Sequence, residues 1–143
     1  MIRVFIGFDT VETVSYHVLS HSIQARCSEP VSITPLMLTQ LSGLMTREHH
    51  NLQSTEFSFS RFLVPHLCDY QGWALFMDCD MLVLDDMADL WKLRDDNFAV
   101  QVVKHEHVPK ETTKFLGQLQ SKYEKKNWSS VRVPVASMKV WSR

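Results

Sequence analysis

Cysteine is scarce in this chain. It has three in 143 residues, Cys27, Cys68 and Cys79, an odd number without C-x-x-C spacing. Neither a disulfide framework nor a zinc site is indicated. A basic excess is missing too: fifteen Lys and Arg stand against sixteen Asp and Glu, for a formal net charge of -1. Apart from Lys125-Lys126 the bases are scattered, and no aromatic stripe runs between them, so no nucleic-acid partner is expected. No apolar run approaches the ~20 residues of a membrane span, and the first residues show no charged n-region or cleavage site. The expectation is therefore no transmembrane segment and cytoplasmic residence. The sequon Asn127-Trp128-Ser129 would matter only in a secreted protein. Internal repeats, low-complexity tracts and linkers are lacking as well. What the chain does have is 45% hydrophobic residues, enough for the core of one globular domain.

The stretch Trp73-Ala-Leu-Phe-Met-Asp-Cys-Asp-Met-Leu-Val-Leu84 runs an apolar strand into two carboxylates at i and i+2. In an extended backbone such residues point the same way, so Asp78 and Asp80 converge at the strand's end while Cys79 turns into the core. Two close carboxylates repel, and desolvating them unpaired costs roughly 3 kcal/mol or more each. A hard divalent ion, Mn2+ or Mg2+, with positions open to phosphate oxygens removes that cost. Asp-x-Asp is also a common turn or cap sequence, and a second acid pair, Asp85-Asp86, follows directly. The motif alone leaves both readings standing.

Periodicity places the motif in a fold. Residues 2–8 read as a first strand, with Gly7 allowing a close approach at its end. Asp9 or Thr10 caps a helix over 11–27 whose Val14, Val18, Leu19 and Ile23 recur at helical spacing, with Glu12 on its polar face. Residues 31–37 form a second strand that Pro35 confines to an edge. Residues 39–56, with His49-His50 on the surface, form a loop with a short helix. A helix follows over 57–68, with Phe59, Phe62, Leu63 and Leu67 inward and a kink at Pro65. Strands over 73–77 and 98–103, a helical turn over 87–93 that packs Leu90 and Trp91, and a helix over 110–123 complete the pass. Strands alternating with helices argue for an α/β sheet with crossover connections, whose ligands bind at the carboxyl ends of the strands. Asp9-Thr10, Asp78-Cys-Asp80 and Lys104-His105 all fall there.

The ordered series Val4-Phe-Ile-Gly-Phe-Asp9, Phe59-Ser-Arg-Phe-Leu-Val-Pro65, Ala74-Leu-Phe-Met-Asp-Cys-Asp80 with Leu90-Trp91, and Val103-Lys-His105 before Lys126-Asn-Trp-Ser-Ser130 resembles the bacterial nucleotide-sugar glycosyltransferases of the GT-A fold. Among them it is most similar to the family-8-like group that includes glycogenin and lipopolysaccharide galactosyltransferases. The resemblance implies a Rossmann-like, mixed but mostly parallel sheet flanked by helices, with Mn2+ (or Mg2+) on Asp78 and Asp80 and the diphosphate of a nucleotide-sugar donor, UDP-linked, on the metal. It further implies Asp9, with Tyr16, at the uracil and ribose end, Arg61 on the donor's phosphates and sugar, and Ser130, with Ser129, beside the donor sugar. A planar five-donor guanidinium suits that place; an exposed helix residue in a surface ion pair is the other reading of Arg61. His105 is either a donor-site residue or a solvated structural histidine. Trp128 either stacks on a sugar or lies in the core. The implied activity is metal-dependent transfer of a sugar to a saccharide or lipid-linked acceptor with retention of configuration, and no residue is named as nucleophile or base.

The resemblance covers residues 1–131, which are read as an incomplete nucleotide-sugar-binding domain. Residues 132–143 form an atypical tail in which Pro134 should break a central strand. The family's acceptor-binding half and third metal ligand find no counterpart in that tail, so the chain by itself is expected not to turn over, and apolar surface left uncovered is expected to favour a homo-oligomer. Two alternatives remain beside the transferase. One is a phosphohydrolase of the haloacid-dehalogenase type, in which the first aspartate of Asp-x-Asp is the nucleophile. The other is a non-catalytic nucleotide-binding remnant.

Overall fold

Strand β1 (Ile2–Gly7) is apolar on both faces and buried along its length except at Arg3. Such a run belongs in the middle of a sheet covered on both sides. In the computed structural model, which describes residues 1–46, 55–103 and 131–134, the last four by backbone alone, β1 has parallel neighbours on either side. These are β2 (Val31–Leu36) and β3 (Leu75–Met77). Beyond β3 the sheet turns antiparallel through β5 (Val131–Pro134) to β4 (Val100–Val102), giving the order β2-β1-β3-β5-β4. The architecture is the mixed, helix-flanked α/β sheet that the alternating pattern implies.

Pro35 sits in β2 opposite Ile6, and β2 is an outer strand, as a residue without an N–H requires. Pro134 behaves differently from expectation. β5 is internal, yet Pro134 closes the strand as its last residue, opposite Val100, so the missing donor falls at the end of the ladder and the pairing of residues 131–133 survives. The same strand crosses residue 131, where the sequence places a domain boundary.

A parallel pair needs a crossover, and α1 (Thr13–Arg26) supplies it between β1 and β2. The helix begins as a 3-10 turn, Thr10–Glu12, capped by the Asp9 side chain. Its buried stripe is Leu19, Ser22 and Ile23, flanked by Tyr16. The expected stripe shared only Leu19 and Ile23 with this one. Val14 is 77% exposed and Val18 49%, because the helix turns its small hydroxyl residue Ser22, rather than its valines, inward, toward Val83 in the segment after β3. There the Ser22 hydroxyl donates to Leu19 O (2.8 Å) and accepts from Val83 N–H (3.1 Å), so a buried polar atom is satisfied on both sides.

The helix expected over 57–68 is broken into 3-10 turns at Glu56–Ser58 and Ser60–Leu63 and a single α-turn, α2 (Val64–Leu67). With Pro65 in the first turn of α2, no long helix passes through it. The tighter winding changes the buried face to Phe57, Ser60, Val64 and Cys68, and turns Phe62 outward at 59% exposure. The turn before β4 is α3 (Met87–Lys92), capped by Asp86, with Leu90 and Trp91 half-buried against the core as expected. The helix expected over 110–123 and His49-His50 lie outside the described residues.

Gly7 ends β1 where Phe57 closes over it. A Cβ on residue 7 would lie 2.4 Å from the Phe57 ring, closer than real carbon contacts allow. Gly7→Ala should therefore destabilise the chain by about 1–3 kcal/mol, the usual cost of overpacking. Combining it with Phe57→Leu should recover part of that loss in urea denaturation. A Gly7→Ala chain as stable as the parent would show that the ring is free to move.

Candidate active site at the carboxyl ends of β1 and β3

Ile6 pairs with Met77, so the chain leaves β1 and β3 at the same edge of the sheet, into Phe8-Asp9-Thr10 and Asp78-Cys79-Asp80. The segment bearing Arg61 is drawn onto that edge by Asp9. This carboxylate is almost fully buried; Oδ1 accepts from Val11 N–H and Oδ2 from Glu56 N–H, both at 3.1 Å. Thr10 adds a hydrogen bond from its hydroxyl to Glu56 Oε1 (2.7 Å). Asp9 thus caps one turn and ties down another.

The Asp-Cys-Asp motif lies one residue past the end of β3, in a turn, rather than along the extended strand whose alternation would have aimed both acids at one point. Each of its three residues has its own environment. Asp78 faces Arg61, with Nη2 3.1 Å from Oδ1 and side chains only 9% (Arg61) and 16% (Asp78) exposed. The guanidinium also lies over Phe76 (5.0 Å to the ring centroid) and Phe57 (5.6 Å). Arg61 is therefore a nearly buried cation against the first aspartate, and the surface-ion-pair reading does not hold. Cys79 is buried, as expected, and its thiol donates to Glu12 Oε2 (3.1 Å). Burial above all, then the hydrogen bond to Glu12 and the charges of Glu12, Asp80 and Asp78, push that thiol far above the usual range. Asp80 is exposed.

This environment selects the kind of ion the motif could take. A buried thiol turned to Glu12 is not presented to a ligand, so the motif offers only hard carboxylate oxygens, which fit Mn2+ or Mg2+ and not a soft metal. No group of three or more His, Cys, Asp or Glu that could hold a metal occurs among the described residues. Asp85-Asp86 is not a second acid site. Asp86 caps α3, accepting from Ala88 N–H (2.9 Å) and Ser28 N–H (3.1 Å), and bonds from Ser28 and Ala88 hold its carboxyl below the ordinary range.

Tyr16 is half-buried near this edge, meeting Phe8 edge-on at 5.5 Å between centroids. His105 and Ser130, with Lys104, Trp128 and Ser129, lie outside the described residues. Two groups at the site, one side chain and one backbone N–H, carry no mark in the sequence. Glu12 reads as the polar face of a helix, and its place beside Cys79 could have been found only by setting the first turn after β1 against the motif after β3. The Glu56 backbone, which binds Asp9, has no sequence signal.

The family model described as Glycosyl transferase family 8 matches residues 20–142. The chain belongs to glycosyl transferase family 8. The match takes in Arg61, Asp78 and Asp80 and runs through β5. Protein CDI of Arabidopsis thaliana is 53% identical over 131 residues, 90% of this chain and 51% of that protein, so the chain spans about half the length of this curated relative. Among solved structures, the apo structure of the WbbM bifunctional glycosyltransferase superposes with a TM-score of 0.55 at 20% identity, over 73% of this chain and 23% of that one. That likeness is one of fold, and the sheet is of the GT-A kind. No described helix is long and apolar enough to cross a membrane.

Because Asp9 satisfies two backbone donors, Asp9→Asn should leave one N–H facing an amide donor and cost about 1–3 kcal/mol of stability in the absence of any ligand, measured by chemical denaturation. An unchanged midpoint would free Asp9 from this structural duty. In the native chain at pH 8, half-buried Cys27 should be alkylated by iodoacetamide well before Cys79, as followed by peptide mass spectrometry. Fast labelling of Cys79 would contradict its burial against Glu12.

Proposed function

We propose that the chain carries the donor site of a metal-dependent glycosyltransferase that moves a sugar from a nucleotide-diphosphosugar, UDP-linked, to an acceptor hydroxyl with retention of configuration. One observation carries this reading: in a family 8 chain, Arg61 and the Asp78-Cys79-Asp80 turn meet at the carboxyl ends of two parallel strands. Open α/β sheets bind their ligands at such an edge.

Charge supports a cation between protein and donor. Asp9, Glu12, Glu56, Asp78 and Asp80 gather at this edge, and Arg61 is the base that the described contacts place among them. A diphosphate would be repelled by that set of carboxylates. A divalent ion held by Asp78 and Asp80 would act as a Lewis acid on the diphosphate leaving group. Arg61 would donate to the same phosphates or to the sugar, stabilising charge as the anomeric bond breaks. Tyr16 and the Asp9 turn would line the base and ribose end, and His105 and Ser130 the sugar end. The acceptor would be a saccharide or a lipid-linked saccharide.

The phosphohydrolase alternative loses its footing. Its nucleophile would be Asp78, but here that carboxylate faces a nearly buried guanidinium after the third strand of the chain, and the family is a different one.

UDP should stabilise the chain in thermal denaturation far more with Mn2+ than with EDTA, by roughly 2.7 kcal/mol at about 100 times Kd. Asp80→Asn, at an exposed position, should keep the fold and lose the Mn2+-dependent part. Persistence of that part in the variant would remove the motif from the site.

A further inference from the structure

Arg61 does more at this edge than await a donor. Its guanidinium sits on Asp78, nearly desolvated, backed by two aromatic rings, with its Nε 3.5 Å from Phe57 O. We propose that Arg61 is an internal counter-ion that competes with the divalent cation for Asp78, so that metal and nucleotide bind well only together.

The argument is one of charge. A carboxylate with a guanidinium at 3.1 Å is already neutralised, so an incoming divalent ion gains less from it and meets a like charge beside it. The metal alone therefore binds weakly. A nucleoside diphosphate offers Arg61 a second anion, one that a planar fork can hold through two oxygens. Once the guanidinium turns to the phosphates, Asp78 is available to the metal, which in turn draws the same phosphates. By linkage, each ligand raises the other's affinity by the same factor. The aromatic backing supports this exchange. Phe57 and Phe76 attract the cation through their ring faces, so Arg61 can hold its place at the edge while its hydrogen bonds change partner.

The inference rests on the donor-site reading, and its signature is a pair of effects of opposite sign. In Arg61→Met, which keeps a long apolar side chain against the two rings, Mn2+ alone should bind about tenfold more tightly, the order expected when a unit charge a few ångströms away is removed from a partly screened site. UDP in the presence of Mn2+ should bind about tenfold more weakly. The ratio of Mn2+ affinities with and without UDP should shrink accordingly. Free Mn2+ is read by its solution EPR signal with the 143-residue chain, and UDP binding by calorimetry. Arg61→Gln repeats the test should the Met variant unfold. Mn2+ affinity that is unchanged or weaker in a folded, charge-neutral variant overturns the competition while leaving the donor site intact, provided the parent chain binds UDP with Mn2+. A parent chain that binds no UDP even with Mn2+ overturns both.

Discussion

The parallel pairing of β1 with β3 is the constraint on which the site depends. Both strands are buried on both faces, and Met77, the last residue of β3, pairs with Ile6, one residue before the end of β1, so the first polar residues after each emerge together at one edge. A slip of one residue in this register would draw Asp78 into the ladder or move Cys79 away from Glu12, and it would expose apolar side chains that now lie in the core. The fold therefore sets the site's geometry through hydrophobic burial, far more than through any polar contact at the edge itself. Gly7 adds the one local requirement. Without a Cβ there, Phe57 can close over the end of β1, and the chain that follows Phe57 brings Arg61 to Asp78.

Electrostatics at that edge are lopsided. Carboxylates from three segments gather there, and the structure lowers the mutual repulsion of the buried ones by giving each a different partner. Asp9 is satisfied by two backbone N–H groups, Glu12 by a thiol, Glu56 by the Thr10 hydroxyl, and Asp78 by a guanidinium. Asp80 stays in water. Buried acids thus have neutral or cationic partners within the chain, so the simple premise that a pair of aspartates must have a metal to be tolerated holds here only for the charge of the site as a whole. The fold itself stands without a cation; under the proposed donor-site reading, one would be called for when an anionic ligand arrives.

Much of this could be read from residue order. The strand runs of β1 and β3, the edge position of the Pro35 strand, the Asp9 cap and the inward Cys79 follow from local chemistry that tertiary contacts did not override. The failures share a cause. Val14, Val18 and Phe62 are apolar at helical spacing, the pattern of an inward stripe, yet all three are exposed. In α1 the buried face instead has Ser22 at its centre, and in the 56–67 segment a 3-10 winding replaces the 3.6-residue period on which the spacing rests. Periodicity assumes one helix type and a greasy contact face, and neither assumption is visible in a single sequence. The Arg61–Asp78 pair was half legible. Each residue could be singled out, but their separation of seventeen positions carries no sign that they touch.

The three residues of the Asp-Cys-Asp turn show how a short loop can present one ligand group with little freedom. Asp78 is fixed by Arg61 and Cys79 by Glu12, so the two residues before Asp80 are anchored from different segments, one following β1 and one preceding α2. A turn held at two successive residues leaves the third with little backbone freedom while its carboxylate remains in solvent. Ligand binding at such a group need not order a loop, which keeps its interaction energy for affinity. The same anchoring ties occupancy to the fold. Anything that binds Asp80 and Arg61 together bridges the segments before α2 and after β3 and opposes their separation on unfolding. A site assembled in this way would respond to its ligands as one unit, and the counter-ion role proposed for Arg61 would make that response depend on metal and phosphate at once.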